Sequence, residues 1–392
     1  MNNVIFVINN LGTGGVQSSL LNLLAELNEK FHITVFCFDE RLKSSSNILP
    51  PHIDLLVPSS PFRYLGISQG ELRGKPIQYL VRACWAFLTK LLGRSFVIRM
   101  MLPFQRKLGN YDCAISYLHE APQKSFYGGC NEFVLKKIKA KKKVAWLHCD
   151  FELCGANSKA SEKIYQQFDE IVACSEGTKR AFLRCMAQLE DKCVAIRNCN
   201  DYENIRRLAG DGIPYDKSEF NIVTVARLSA EKGIERALEA VKRCMKSGYK
   251  LHYYIVGSGD QAEHLKELTG DYGLENAVTF YGNQSNPYPY MKNADLFLLP
   301  SYHEAAPMVF DEAACLGVPV LATETTSTDE MITESGSGFV CKNSQDGIAD
   351  GLMKVLKNPD SLVEIKKSLK NRQFTNQDKI NKVSEIINGQ HP

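Results

Sequence analysis

No two of the 13 cysteines stand in a C-x-x-C pair, the spacing that zinc ribbons and dithiol redox sites use. Several, including Cys37, Cys113, Cys174 and Cys315, lie inside apolar runs, where a reduced thiol behaves as a small buried hydrophobe. A disulfide framework and a zinc site are therefore not expected. No apolar stretch reaches the roughly 18 residues that span a bilayer. Met1 to Asn10 has no basic n-region and reads as a first strand rather than a signal peptide, so a cytoplasmic location is expected. A short-period repeat and a low-complexity tract are also missing.

What is present is a chain of 392 residues, 44% apolar and 23% charged. That is the balance of a globular protein long enough for two domains. The formal net charge of +3 hides an imbalance. Residues 60–145 hold 16 basic and 4 acidic residues, whereas the residues after 195 hold 22 basic and 27 acidic. Residues 76–109 contain no acidic residue and mix Tyr79, Trp85, Phe87, Leu91, Leu92 and Phe96 with Arg82, Lys90, Arg94, Arg99, Arg106 and Lys107. Apolar residues near helical spacing, flanked by cations, suit an interfacial helix on an anionic membrane surface. They equally suit a helix that packs Trp85 and Phe87 on a core and keeps its basic side wet.

Short apolar, β-rich runs alternate with helix-length segments. In the first half the runs are Val4–Asn9, Ile33–Phe38, Cys113–Tyr117, Val144–His148, Ile171–Cys174 and Val194–Ile196. In the second half they are Ile222–Ala226, His252–Val256, Ala277–Tyr281, Leu296–Leu299, Val318–Ala322 and Gly338–Cys341. Runs that are apolar on both faces and separated by helices indicate parallel sheets covered on both sides. Two such series imply two doubly wound α/β domains. The polar segment Asn198–Ser218, with a short helix over Tyr202–Ala209, is read as their connection. The expected boundaries are 1–199 and 200–374, with 375–392 a helical tail. Ligands in such sheets sit at the carboxyl ends of the strands, so two facing domains would place the site in the cleft between them.

The most informative segment runs from Ser301 to Ala313 and on to Gly317-Val318-Pro319-Val320. A strand ends at Pro300, and a loop then carries Glu304. Pro307 suits the first turn of a helix, and Gly317 the position just past its end. The free N–H groups of that helix start, around Ala306, Pro307, Met308 and Val309, form an anion site beside Glu304. Glu312 follows on the same short element. Taken alone, Glu304 could be an ordinary loop carboxylate and Glu312 a helix-surface one. Arg227 and Lys232, five residues apart after the strand end at Ala226, can straddle a pyrophosphate and neutralise charge as it leaves; alone, they would read as a solvated loop pair. Two glycine loops follow strands: Leu11-Gly12-Thr13-Gly14-Gly15-Val16 and Gly257-Ser258-Gly259-Asp260-Gln261-Ala262. The second fits G-x-G-x-x-A, but it follows the second strand of its domain. The strand after it also lacks the terminal acid that would hold a ribose. His148 ends a strand, where it can meet a ligand or fill a core.

Glu304 and Glu312 match the E-x7-E signature of the retaining glycosyltransferases of family 4, and nearly the whole chain resembles that family. The resemblance implies the GT-B fold, two Rossmann-like domains facing across a cleft, with the acceptor on the first and a nucleotide-sugar donor, a UDP-sugar, on the second. The tail would cross back onto the first domain. It also implies roles for individual residues. Arg227 and Lys232 would hold the donor diphosphate, Glu304 the sugar hydroxyls and Glu312 the ribose. Ala306, Pro307, Met308 and Val309 would offer backbone to the donor. Gly14 and Gly15 would let backbone approach the reaction centre, Gly257 would lie near the nucleoside, and His148 would orient donor or acceptor. Ser175, Asn198 and Glu330 match further family positions, for which a helix cap, a turn residue and a first-turn acid are adequate alternatives. The family commonly has Gly and an aromatic or Leu after the first glutamate, where this chain has Ala305 and Ala306.

No D-x-D triplet occurs, so cationic side chains and a helix terminus are expected to stabilise the leaving diphosphate with no metal and no cofactor. The acceptor would be a saccharide or lipid-linked saccharide, in surface polysaccharide synthesis, and no nucleic acid is implied. The rival readings are a nucleotide-sugar epimerase of the same architecture, a non-catalytic partner subunit and, more distantly, a nicotinamide oxidoreductase.

Overall fold

The structure, a computed structural model, describes residues 1–12, 14–39, 41, 49–58 and 61–391; Thr13 of the first glycine loop lies outside them. The chain forms two compact units, Met1–Cys199 with Asn376–Pro392, and Asn200–Thr375. The first is built on seven parallel strands: β1 (Asn3–Ile8), β2 (His32–Cys37), β3 (Asp54–Leu56), β4 (Leu108–Ser116), β5 (Ile138–Leu147), β6 (Glu170–Ala173) and β7 (Cys193–Ala195). They lie in the order β3-β2-β1-β4-β5-β6-β7. Side chains alternate across a strand, so Val4, Phe6 and Ile8 enter one core and Ile5 and Val7 the other. The helix Gln377–Ile387 closes one of these cores with Ile380, Val383 and Ile387. Its Lys379 Nζ donates to the Asn198 carbonyl at 2.8 Å.

The second unit has six parallel strands: β8 (Phe220–Val225), β9 (Leu251–Val256), β10 (Val278–Gly282), β11 (Leu296–Leu299), β12 (Val320–Thr323) and β13 (Gly338–Cys341). Their order is β10-β9-β8-β11-β12-β13. Leu296 and Leu298 enter one core, Phe297 and Leu299 the other. Both units are doubly wound α/β, as the apolar runs require, and all twelve runs are strands. The strand without a matching run is β3, three residues at the sheet edge.

Residues 76–109 form the helices Pro76–Leu92 and Arg94–Met101, a short turn of 3-10 helix and the start of β4. Three residues of this segment are structural, and of the two aromatics that could have packed on a core Trp85 does so while Phe87 is exposed. Arg94 is fully buried, with its guanidinium between Glu120 and Glu132. Arg82 donates through Nε to the Ile67 carbonyl at 2.6 Å and through Nη1 to Gln69 Oε1 at 2.9 Å. Trp85 packs against the core of the first unit. Among the described residues no helix is long and apolar enough to cross a membrane.

Candidate functional site

In each sheet the strand order reverses direction once, between β1 and β4 in the first unit and between β8 and β11 in the second. Loops leaving neighbouring strands at such a point part and leave a crevice at the strand ends. In the second unit these loops carry Lys232 and Glu304. A turn of 3-10 helix, Ala230–Lys232, ends at Gly233, whose φ of 61° is left-handed. A Cβ there would stand 2.4 Å from the Pro300 carbonyl oxygen, so glycine lets the two loops close on each other. Lys232 Nζ then reaches Glu304 Oε1 at 2.6 Å, and Ser301 Oγ donates to the same oxygen at 2.7 Å.

The loop carrying Glu304 is held by its carbonyls. The buried Arg236 donates to the Pro300 carbonyl and to Asn343 Oδ1 at 2.8 Å, and lies 3.6 Å over the Tyr302 ring. Asn343 Nδ2 donates to the Tyr302 carbonyl at 2.9 Å. Thr323 Oγ1 binds the Ser301 carbonyl, and Ser327 Oγ that of Ala305. With these carbonyls tied into the unit, the loop delivers the start of the helix Met308–Cys315 in a fixed position. Pro307 is the residue before that helix, with φ −69° and ψ 123°, rather than a member of its first turn. Met308 and Val309 follow as first-turn residues, whose N–H groups have no acceptor inside the helix. Gly317 stands just past the end at a left-handed φ of 78°.

Glu312 lies on this helix. Burial, reinforced by the neighbouring Asp311, pushes its carboxyl up to about 7. Arg227 is exposed and has no ion pair among the described residues. The structure thus joins Lys232 to Glu304; among the described residues neither Arg227 nor Glu312 makes a hydrogen bond or ion pair with them. Gly257 has a local explanation: a Cβ there would stand 1.8 Å from the Ala226 carbonyl oxygen. Its glycine is required by loop packing within the unit, and no ligand is needed to account for it. Glu330 is half-buried in the π-helical turn Asp329–Thr333, not in the first turn of an α-helix.

In the first unit, Asn10 Oδ1 accepts from Gly12 N at 3.3 Å and Gln17 Nε2 at 2.9 Å. Gly14 precedes the helix Gly15–Leu27 with an extended φ of 168°, which any residue adopts. Among the described residues, nothing lies within 4 Å of a Cβ placed on Gly15, and one on Gly14 would meet only the flexible end of Gln17. Among the described residues no backbone crowds these two glycines, unlike Gly233 and Gly257.

His148 follows β5. Its ring centroid is 4.5 Å from that of Tyr117, and its plane is nearly parallel to Trp146. The Tyr117 and Ser19 hydroxyls are 2.8 Å apart, and Ser19 donates to Asn198 Oδ1 at 2.8 Å. Asn198 therefore supports His148 through two intermediaries. Ser175 caps the helix Glu176–Cys185, accepting from Thr178 N at 2.9 Å. Sequence reasoning missed His119. Ser116 pairs with Ala145 in the β4–β5 register, and three residues on His119 comes beside His148. Burial lowers His119 to about 4, and burial with His119 nearby lowers His148 well below the usual imidazole range. His119 Nδ1, Trp146 Nε1 and His148 Nε2 are buried with no hydrogen-bond partner among the described residues. Two histidines just past neighbouring strands were the available signal, readable only once β4 and β5 are known to pair.

Two doubly wound units of this kind make the GT-B architecture. Over 99% of this chain, a glycosyltransferase from Rickettsia africae has the same fold with a TM-score of 0.70 at 16% identity, covering 98% of that chain. Anabaena HepE in complex with UDP-glucose has it with a TM-score of 0.68 at 16% identity, over 99% of this chain and all of that one. At such identities the likeness is one of fold. Residues 212–372, nearly the whole second unit, match the family model Glycosyl transferases group 1. The chain is 34% identical over 145 residues to the amylovoran biosynthesis glycosyltransferase AmsK of Erwinia amylovora and spans 35% of that relative's length.

Proposed function

We propose that the chain is a glycosyltransferase that moves a sugar from a UDP-sugar to a saccharide or lipid-linked saccharide acceptor, with retention at the anomeric carbon and without a divalent metal. The observation that carries this reading is the Lys232–Glu304 pair at the switch point of the second unit, 2.6 Å apart and continuous with the start of the helix Met308–Cys315. A fixed ammonium and the free N–H groups of a helix start both suit a diphosphate. As the diphosphate draws Lys232, Glu304 is freed to accept hydrogen bonds from sugar hydroxyls. Glu312 accepts from the ribose. Arg227, exposed and unpaired, supplies a second cation as the leaving charge grows. The acceptor hydroxyl oxygen bonds to the anomeric carbon, the bond from that carbon to the phosphate oxygen breaks, and the proton passes to the departing phosphate on the same face. The match to a polysaccharide biosynthesis glycosyltransferase supports a growing saccharide as acceptor, and the cytoplasm is the proposed location.

The test is thermal stabilisation by UDP and a panel of UDP-sugars, followed by transfer assays in excess chelator. A ligand that binds only the native state raises the melting temperature with concentration. UDP-sugars should stabilise the chain, and the linkage formed, read by NMR, should keep the donor's anomeric configuration. Stabilisation by no uridine nucleotide, an inverted product, or activity lost to chelator and restored by magnesium would each overturn the corresponding part of the reading.

A further inference from the structure

Nine of the thirteen large apolar side chains exposed among the described residues fall between Ile77 and Phe104. In the helix Pro76–Leu92, Ile77, Leu80, Phe87 and Leu91 are 62 to 78% exposed, and their spacings of three, seven and four put them on one stripe. The inward side is already occupied, since Val81, Trp85 and Leu88 pack on the core and Thr89 is buried. This helix is therefore apolar on both sides, whereas a merely solvated helix is polar outward. Phe96, Met100 and Phe104, in the next two elements, are also exposed. Exposed apolar side chains concentrated in this way mark an interaction surface.

Charge selects the partner. Lys90, Arg99, Arg106 and Lys107 are exposed at the rim with no ion pair among the described residues, and residues 76–109 hold no carboxylate. Arg99 and Leu102 also line a cavity of about 740 Å³, to which Lys136, Lys137, Lys159 and Lys163 add four more cations. Its acidic lining residue, Glu132, is already held by Arg94 at 3.0 Å. A second copy seated on this face would set cation against cation, because a two-fold interface pairs the same patch with itself. A flat anionic surface with an apolar interior satisfies both the stripe and the rim.

We infer that the helices Pro76–Leu92 and Arg94–Met101 form a docking surface for an anionic lipid bilayer. The stripe enters the headgroup boundary, and the rim cations lie at the level of the phosphates. The inference rests on this face alone and does not depend on the proposed transfer reaction.

Co-sedimentation of the full chain with vesicles decides it. Binding to phosphatidylcholine containing phosphatidylglycerol is expected to exceed binding to phosphatidylcholine alone, and to fall as salt rises. Lys90→Gln and Arg99→Gln should each weaken it about fivefold at low salt. Leu80→Ser with Phe87→Ser should weaken it more than about tenfold. All four positions are exposed, so the melting temperature and its rise with UDP should be unchanged; these readouts separate failure to dock from failure to fold or to bind nucleotide. Equal pelleting with both vesicles, or none with either, overturns the inference. So does a lipid-free dimer that Phe87→Ser disperses, which would assign the face to a second copy.

Discussion

The two units share a strand order and a switch point, yet they furnish it with opposite chemistry. In the second unit the residues are ionic and braced. Lys232 and Glu304 are paired, Glu312 is poised near neutrality, and the carbonyls of the intervening loop are tied down. In the first, the residues are neutral and unmet. Among the described residues, His119, Trp146 and His148 present buried nitrogen atoms without partners, and nothing lies within 4 Å of a Cβ placed on Gly15. Sheet topology decides where a ligand goes, while the loops decide what it is. Paired charge suits a phosphate-bearing ligand; uncharged imidazole and indole nitrogens suit hydroxyl groups. The contrast also gives the units opposite responses to acid. Glu312 binds its proton more tightly folded than unfolded, so acidification favours the second unit. The two histidines bind theirs more weakly folded, so acidification disfavours the first.

The largest effect is expected where charge develops. Lys232→Ala and Arg227→Ala should each lower turnover roughly 10²–10³-fold, by analogy with removing one stabiliser of a developing anion. In the Lys232→Ala variant Glu304 keeps Ser301 and can still accept from the sugar hydroxyls, so adding Glu304→Ala should lower turnover further. Turnover comparisons of the two single variants and the double variant check this. A His148→Asn variant that lost as much as Lys232→Ala would break the contrast between an ionic and a neutral half.

A smaller effect should appear in stability. The Glu312 carboxyl stands at about 7 against an ordinary 4.5. At pH 8 it is ionised in both states, and the folded unit carries a desolvated charge costing about 3 kcal/mol at most. As pH falls through 7 the folded carboxyl takes its proton first, and the cost has gone by about pH 4.5. Glu312→Gln should therefore stabilise the second unit at pH 8 and hardly at all at pH 4.5. It should also weaken UDP at pH 8, where the carboxylate would accept from the ribose. Urea unfolding at both pH values, with UDP titrations, reads this. A variant less stable than wild type at pH 8 would show that the carboxylate already has a partner in the free protein.

These effects were not equally legible beforehand. Strands buried on both faces announce themselves as apolar runs, and all twelve runs are strands; β3 was missed because three residues between Pro51 and Pro58 are too short for periodicity to show. Glu304 and Lys232 could be named from local pattern. Their pairing could not, because it depends on a close approach of Gly233 to the Pro300 carbonyl across the fold. Arg82 and Arg94 were grouped with the surface cations for the same reason. The partners that bury Arg94 are Glu120 and Glu132, which lie 26 and 38 residues away. A basic residue within an amphipathic stretch looks alike whether it meets water or a distant carboxylate.

The smallest predicted effect concerns the neutral half. His119 is lowered to about 4 and His148 well below its usual range, both chiefly by burial. Between about pH 6.5 and pH 4 the unfolded chain takes up protons at these positions that the folded unit refuses, so stability is lost as pH falls through this window. At pH 5.5 one such imidazole costs about 1.4 kcal/mol relative to pH 7.5, because that pH lies about one unit below the unfolded value. His119→Asn removes that term and should flatten the acid slope of the first unit by this amount. Amide exchange on β4 and β5 reads that unit separately from the helix Met308–Cys315, where the slope should be unchanged. If the substitution left the slope on β4 and β5 as steep as in the wild type, the imidazole would be taking its proton in the folded state. The nitrogen assigned to an uncharged hydroxyl partner would then be a cation, and the contrast between the two halves would fail at its neutral side.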